Sequence, residues 1–539
     1  MKRVLIEIGT NINQRDNARL VREDLYAKFG ENIHFTPSLK TKPVDGGDGY
    51  YINFLAEIHT DIPYDELRAW FKELEQECGR NKEDTRDGWV PLDIDILEYD
   101  GKRFCAKDWD RNYVKELLKT IVLVLFVFLL PTNTHAQQFD DYFNDATLRI
   151  DYTFSGDIKS THIYLDKLNR IPRWYGKRER LAEVPMEGNG QIVVKSRKNQ
   201  NVIYRNSFST LYQEWLTSPE AESVQKSFEN VFLVPMPKDT VDITVNLMDN
   251  RRQIVATMTH IVVPTDILIH RIGERDITPY EVIHQAKDTA RCIHIAYIAE
   301  GYTEEEMPIF MEDVRIADEA LFAHEPFKSL QERFEVVAVK AASKERGTSE
   351  PTNGLWRKTA LGSHFNTFYS DRYLTTLNLK QMHDLLAGIP YEHIIVLVNT
   401  SHYGGGGILN SYNLSMTHHR LFRPVVVHEF GHSFAGLADE YAYEYEPIPM
   451  YPADVEPWEK NITTKVDFRG KWEELIGNLA PTNPRTPEPQ RIGFYEGAGY
   501  SLKGVYRGCE DCRMRTNENP EFCPVCRKVI TEVIDFYTK

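Results

Sequence analysis

The chain has 539 residues, a formal net charge of −16 and 42% hydrophobic residues. That length predicts about three or four domains, with apolar content ample for several cores. The net acidity excludes general nucleic-acid binding, which needs a basic surface.

Residues 1–118 alternate strand and helix signals. Val4-Leu5-Ile6-Glu7-Ile8 predicts a strand, and Gly9-Thr10-Asn11 a turn. Tyr51 to His59 alternates as a second strand, and Asp65 to Cys78 has helical spacing with Leu67, Trp70, Phe71 and Leu74 on one side. Leu92 to Leu97 predicts a further strand with Asp93 and Asp95 on one face, since side chains repeat every two residues. Two carboxylates so placed suit Mg²⁺ held together with substrate phosphates; a polar strand face is the competing reading.

Several pieces of this segment resemble, in order and spacing, the 6-hydroxymethyl-7,8-dihydropterin pyrophosphokinase (HPPK) family of folate synthesis. They are Gly9-Thr10-Asn11, Arg15-Asp16-Asn17, Thr41-Lys42-Pro43, Tyr51-Ile52-Asn53-Phe54, Gly79-Arg80 and Leu92 to Leu97. The resemblance implies a ferredoxin-like α/β fold that uses ATP and Mg²⁺. It implies Asp93 and Asp95 as the metal pair, Asn53 as a pterin contact, and Arg80 and Arg86 as phosphate-facing arginines. The chain departs from the family at Arg86-Asp87-Gly88-Trp89-Val90-Pro91. Val90 stands where a second arginine is usual, and valine cannot stabilise phosphoryl charge. Lys82 also stands where another arginine is common.

Ile121 to Leu130 is an unbroken run of ten apolar residues. A membrane-spanning helix needs about twenty. Lys115 and Lys119 precede the run and Thr134-His135-Ala136 follows it, the layout of a secretory signal peptide. Cleavage after Ala136 would make Gln137 the first residue of the mature protein. An uncleaved anchor is the alternative, with residues 1–118 cytoplasmic and the rest outside. Membrane contact is expected only through 121–130, and only if the run is retained.

Residues 137–262 carry short β-branched runs, among them Leu148 to Phe154, Gln191 to Val194, Asn230 to Val234 and Val241 to Val245. They predict a β-sandwich accessory domain, with a helical hint only near Ser223 to Phe228. From 263 onward strands and helices alternate. Cys292 to Ala299, Phe334 to Val339 and His393 to Val398 read as strands, and Thr303 to Glu306 as a capping-box start of a helix through Leu321. Gly404 to Gly407 reads as a long turn rather than a flexible lip, and Ile408 to Met416 as an edge strand beyond it. Such an edge can bind an extended peptide through main-chain hydrogen bonds.

Residues 428–432 read His-Glu-Phe-Gly-His, preceded by Pro424 and Val425 to Val427. On a helix His428 and His432 lie one turn apart on one face, a spacing that holds one Zn²⁺, with Glu429 placed to take a proton from water. Gly436 can end that helix in the left-handed conformation. The chain then turns back, offering Asp439 as a third ligand, with Glu440 as its rival.

The order of signal, β domain, α/β domain and this motif resembles the bacterial IgA-peptidase family of secreted, metzincin-like zinc metallopeptidases over about residues 137–539. The resemblance implies His428, His432 and Asp439 as zinc ligands and Glu429 as catalytic base. Gly436 stands one residue later than in the usual metzincin spacing. Met514, with Met450 as runner-up, is the candidate for the methionine under the metal, and Tyr441 for oxyanion stabilisation. Cys509-x-x-Cys512 and Cys523-x-x-Cys526 have zinc-ribbon spacing, but an exported domain favours disulfides.

The expected architecture is therefore multidomain. An HPPK-like domain (1–118) precedes a signal or anchor (119–136), a β-sandwich (137–262) and a zinc metallopeptidase domain (263–539). The expected function is a secreted, periplasmic or surface-held endopeptidase with Zn²⁺ as cofactor and a protein or peptide as substrate. Alternatives are an active pterin pyrophosphokinase in the first segment, using Mg²⁺ and ATP, and a non-catalytic surface binding protein.

Overall fold

The computed structural model describes residues 2–42, 50–80, 90–105, 107–118, 138–442, 451–452, 454–477 and 491–539. The chain divides into two compact units, Met1–Asn133 and Thr134–Lys539. The apolar run at 121–130, its proposed cleavage site at Ala136, Lys82, Arg86 and Met450 lie outside the described residues. No helix among the described residues is long and apolar enough to cross a membrane.

The first unit contains a six-stranded sheet and, among its described residues, three α-helical stretches, the last at 112–118 packing Val114 and Leu117 against Leu5, Leu55 and Leu97. Its elements are β1 (Lys2–Thr10), α1 (Gln14–Phe29), β2 (Ile33–Phe35), β3 (Leu39–Thr41), β4 (Tyr51–Thr60), α2 (Tyr64–Glu77), β5 (Asp93–Tyr99) and β6 (Lys102–Arg103). The sheet order is β2-β4-β1-β5-β6, with β3 also paired to β4, and every pairing is antiparallel. Leu67, Phe71 and Leu74 of α2 are buried against Ile8, Phe54 and Ile94, so the helical spacing read in the sequence is the packing face.

The second unit contains two four-stranded sheets, one of six strands and one of three. The first pair is built from β7 (Phe143–Asp157), β8 (Ser160–Pro172), β9 (Gly190–Ser196), β10 (Val202–Phe208), β11 (Lys226–Pro237), β12 (Val241–Met248), β13 (Ile254–Val262) and β14 (His270–Arg271). The orders are β10-β9-β12-β13 and β11-β7-β8-β14. A short helix, α3 (Leu211–Trp215), follows β10 and buries Leu211, Tyr212 and Trp215. The helical hint at Ser223 to Phe228 is corrected: strand β11 opens at Lys226, where alternation across the sheet puts Phe228 opposite Phe154 in the core.

The six-stranded sheet has the order β15-β17-β16-β18-β20-β19. Its strands are β15 (Tyr280–His284), β16 (Ile293–Glu300), β17 (Phe334–Val339), β18 (His393–Val398), β19 (Gly405–Ile408) and β20 (Tyr412–Met416). β16, β18 and β20 are buried at every residue, as parallel strands covered on both faces must be. Alternate residues serve two cores. Ala296, Ile298, Val396 and Val398 join the core shared with the two four-stranded sheets. Ile295, Tyr297, Ile395 and Leu397 face the helices α4 (Met307–Phe322), α6 (Phe422–Ala435) and α7 (Pro524–Thr538). α4 begins after a 3₁₀ turn closed by the capping box of Thr303 and Glu306.

The glycine tract departs from its sequence reading. Gly405 to Gly407 form the antiparallel edge strand β19, while residues 409–411 make the turn and β20 lies inside the sheet. Glycine is poor strand material, so a packing reason must lie next to this edge. The three-stranded sheet, β21 (Ile462–Thr463), β23 (Ser501–Arg507) and β22 (Tyr495–Ala498), completes the unit.

One buried cation ties the early sheets to the later helices. Arg149 on β7 makes two bonds to Asp151, at 2.7 and 3.0 Å. Its other bonds reach Asp384 at 2.6 Å and the Lys380 carbonyl at 3.0 Å, both on α5 (Leu379–Leu385). Replacing Arg149 with methionine strands Asp151 in the core. Arg149→Met is expected to lower the unfolding free energy by about 3–5 kcal/mol, read as an earlier denaturation midpoint.

Candidate metal centre

α6 carries the His-Glu-Phe-Gly-His motif and forms because it is buried, not because its residues favour helix. Val425, Val426, Val427, Phe430 and Phe434 are in the core, and the rings of Phe430 and Phe434 stack at 5.0 Å. The helix ends at Gly436, whose φ of 57° is the left-handed conformation expected of it. The chain then reverses and returns Asp439 to the helix face.

His428 Nε2 and His432 Nε2 stand 3.0 Å apart. Asp439 Oδ1 lies 3.0 Å from the first and 3.3 Å from the second. The other ring nitrogens face carbonyls: His428 Nδ1 is 3.0 Å from Arg513 O, and His432 Nδ1 is 2.5 Å from Leu437 O. Carbonyls only accept, so each Nδ1 carries a proton and each Nε2 faces the centre. Asp439 Oδ1 is buried between the two Nε2 atoms, and, against the opposing effect of burial, its carboxylate raises the His432 imidazole to about 9. Zn²⁺ bonds of about 2.0–2.1 Å at tetrahedral angles space ligand atoms about 3.3 Å apart. The three atoms therefore have the spacing that one zinc would need.

Three further contacts fix this triangle. Tyr500 donates its hydroxyl to Asp439 Oδ2, leaving Oδ1 to the imidazoles. Tyr500 adopts a φ of 61°, uncommon for a non-glycine residue. The backbone explains it: Gly499 N–H reaches Asp439 O at 2.9 Å and Tyr500 N–H reaches Tyr441 O at 3.1 Å. Met514 packs beneath the helix at Gly431, where a Cβ would come within 2.7 Å of its sulfur. The Met514 carbonyl accepts from Glu440 N–H at 2.8 Å. Tyr441 lies parallel to the His428 ring at 6.5 Å, with its hydroxyl 3.4 Å from that of Tyr500.

The edge strand β19 explains its glycines here. A Cβ on Gly405 would sit 2.6 Å from Glu429 Oε1, and one on Gly407 would sit 2.5 Å from the Glu429 carbonyl oxygen. Only bare backbone lets this edge lie against the motif helix. Burial raises the Glu429 carboxyl above its ordinary range, while the nearby imidazoles oppose that shift. The early sheets also reach this region. Tyr373 donates to Glu214 on α3, a carboxyl pushed up to about 7 by burial. Ser209 N–H bonds Leu409 O at 3.1 Å and Asn410 Nδ2 bonds Ser207 O at 2.8 Å, which anchors the β19–β20 turn.

Glu440, the rival ligand, points away from this triangle. It accepts from Asn461 at 3.0 Å and from Cys526 Sγ at 3.1 Å. Cys509, Cys512, Cys523 and Cys526 are all buried and unbonded, so the expected disulfides are not formed. Tyr500 and Glu214 had escaped the sequence reading, because nothing local marks a residue brought in from 60 or 200 positions away. The glycines around Tyr500 were the one available signal of a tight turn.

In the first unit Asp93 and Asp95 share a face of β5. Asn53 stands opposite Gly9 across β4 and β1, and donates to Thr41 Oγ1 at 2.7 Å. Arg80 is engaged by Asp93 and by Glu75, the latter at 2.9 Å. Burial raises the Asp95 carboxyl, and the neighbouring Asp93 adds to the shift.

The family model described as IgA peptidase M64 matches residues 282–488 and 482–534, and that of the peptidase M64 N-terminus matches 138–259. The model of 7,8-dihydro-6-hydroxymethylpterin-pyrophosphokinase (HPPK) matches residues 5–139. No curated protein matches the chain. The chain is thus similar to HPPK over its first segment and to the N-terminal and peptidase parts of the M64 family over the rest.

Proposed function

We propose that residues 137–539 are a zinc-dependent endopeptidase acting on proteins outside the cytoplasm, with a metzincin-like catalytic domain behind a β-sandwich. The observation that carries this reading is the convergence of His428 Nε2, His432 Nε2 and Asp439 Oδ1 within 3.3 Å of one another. Zn²⁺ bound there supplies Lewis acidity to the attacking water and the scissile carbonyl. Glu429 takes the proton of that water and passes it to the leaving amine; its raised pKa suits both halves of the transfer. Tyr500 holds Asp439 in register, and Tyr441, beside His428, is placed to donate to the developing oxyanion. The apolar run at 121–130 supports export of this part of the chain.

For the first segment we propose a ferredoxin-like HPPK domain that binds Mg²⁺ and ATP at Asp93 and Asp95, with Asn53 toward the pterin. Arg80 and Arg86 are its candidate phosphate contacts. The paired carboxylates on β5 favour this second reading.

Three outcomes test these readings. Glu429→Gln should lower kcat on a casein substrate by on the order of 10³-fold while zinc content stays unchanged; parental turnover would sink the mechanism. Gly407→Ala should lower kcat/KM by about 10²-fold, because a Cβ displaces Glu429 from its position. In the full chain supplied with ATP, Mg²⁺ and the hydroxymethyl pterin, Val90→Arg should raise AMP formation at least tenfold, roughly, by restoring a phosphate-facing cation.

A further inference from the structure

Cys512, Cys523, Cys526 and Glu440 converge on one buried point, with their ligand atoms all within 4.8 Å of one another. Cys512 Sγ and Cys526 Sγ are 3.7 Å apart. A disulfide needs about 2.05 Å. Sulfurs sharing one zinc at about 2.3 Å and tetrahedral angles stand about 3.7–3.8 Å apart. Backbone donors face the sulfurs as they would face thiolates: Cys523 N–H to Cys512 Sγ at 3.1 Å, and Cys526 N–H to Cys523 Sγ at 3.5 Å. Glu440 is fully buried, and its Oε2 has no hydrogen-bond donor although Oε1 has two. A disulfide would use two of the three sulfurs and leave that buried carboxylate oxygen unsatisfied. Cys509 lies next to Cys523, outside the four-atom group.

We propose that Cys512, Cys523, Cys526 and Glu440 form a second metal site, which holds a structural Zn²⁺. Three soft thiolates and one carboxylate in a closed, buried set suit zinc and leave no open position for chemistry. Arg507, near Glu440, and Arg513, near Cys512, offset the remaining negative charge. The site clamps three strands of chain. Glu440 follows the catalytic ligand Asp439, Cys512 precedes Met514 by two residues, and Cys523 caps α7 by accepting from Cys526 N–H. Consecutive carboxylates, Asp439 and Glu440, thus serve two ions.

The test uses the full chain purified without chelator. His428→Ala/His432→Ala removes the catalytic ligands and is expected to retain one zinc per chain. Grown on cobalt, the same variant should show thiolate-to-cobalt charge-transfer absorption. Non-reducing peptide mapping of the parent should find no crosslink among the four C-terminal cysteines. Adding Glu440→Gln to the double variant, a change that keeps shape, should speed zinc loss to a chelator at least tenfold, roughly, as the loss of one ligand does. A double variant without metal, a Cys–Cys crosslink among these residues, or an unchanged rate of zinc loss would each overturn the proposal.

Discussion

The carboxylate of Asp439 attracts the two imidazoles, and the three ligand atoms stand within 3.3 Å of one another. The surrounding chain holds that convergence in place. Carbonyls of Arg513 and Leu437 lock the imidazole protons on the far side, and Tyr500 engages the outer oxygen of Asp439. Each of these partners belongs to a different stretch of chain. Preorganisation of this kind transfers the cost of assembling ligands from the moment of metal binding to the folding of the whole unit.

The same constraint explains features that look wasteful alone. Three glycines in a strand weaken it, yet any side chain at Gly405 or Gly407 would collide with Glu429. Gly431 lets a methionine sulfur approach the helix from below, between the two histidines. Residues without side chains appear on both sides of α6 because the helix is gripped from both sides. The cores follow suit: alternate residues of β16 and β18 face the early sheets or the helices, so the central sheet transmits both.

Much of this could be read from residue order. The motif helix, its left-handed end at Gly436 and the return of Asp439 are local events, set by spacing within a dozen residues. Strands such as Phe334–Val339 and His393–Val398 are apolar apart from Glu335 and His393 and fall where their composition puts them. The HPPK-type strands and α2 were equally plain, because one apolar face per element is a short-range pattern. What escaped was non-local. Glycine reads as turn until the helix beside it is known. Asp439 and Glu440 are indistinguishable by spacing; the fold turns Asp439 to the two imidazoles and Glu440 to Asn461 and Cys526. Tyr500 and Glu214 carry no sequence mark, since their importance lies in what the fold sets opposite them.

The bonds that anchor the β19–β20 turn to residues 207–209, together with Glu214 and Tyr373, span some 160 to 200 positions. Contacts that distant in sequence form late, after the chain has paid for closing long loops. The lip of the cleft is therefore among the last parts to set. Synthesis runs from the first residue to the last, so the early sheets exist before the motif helix does. A half-made chain has the scaffold and none of the three residues that converge on the candidate metal centre.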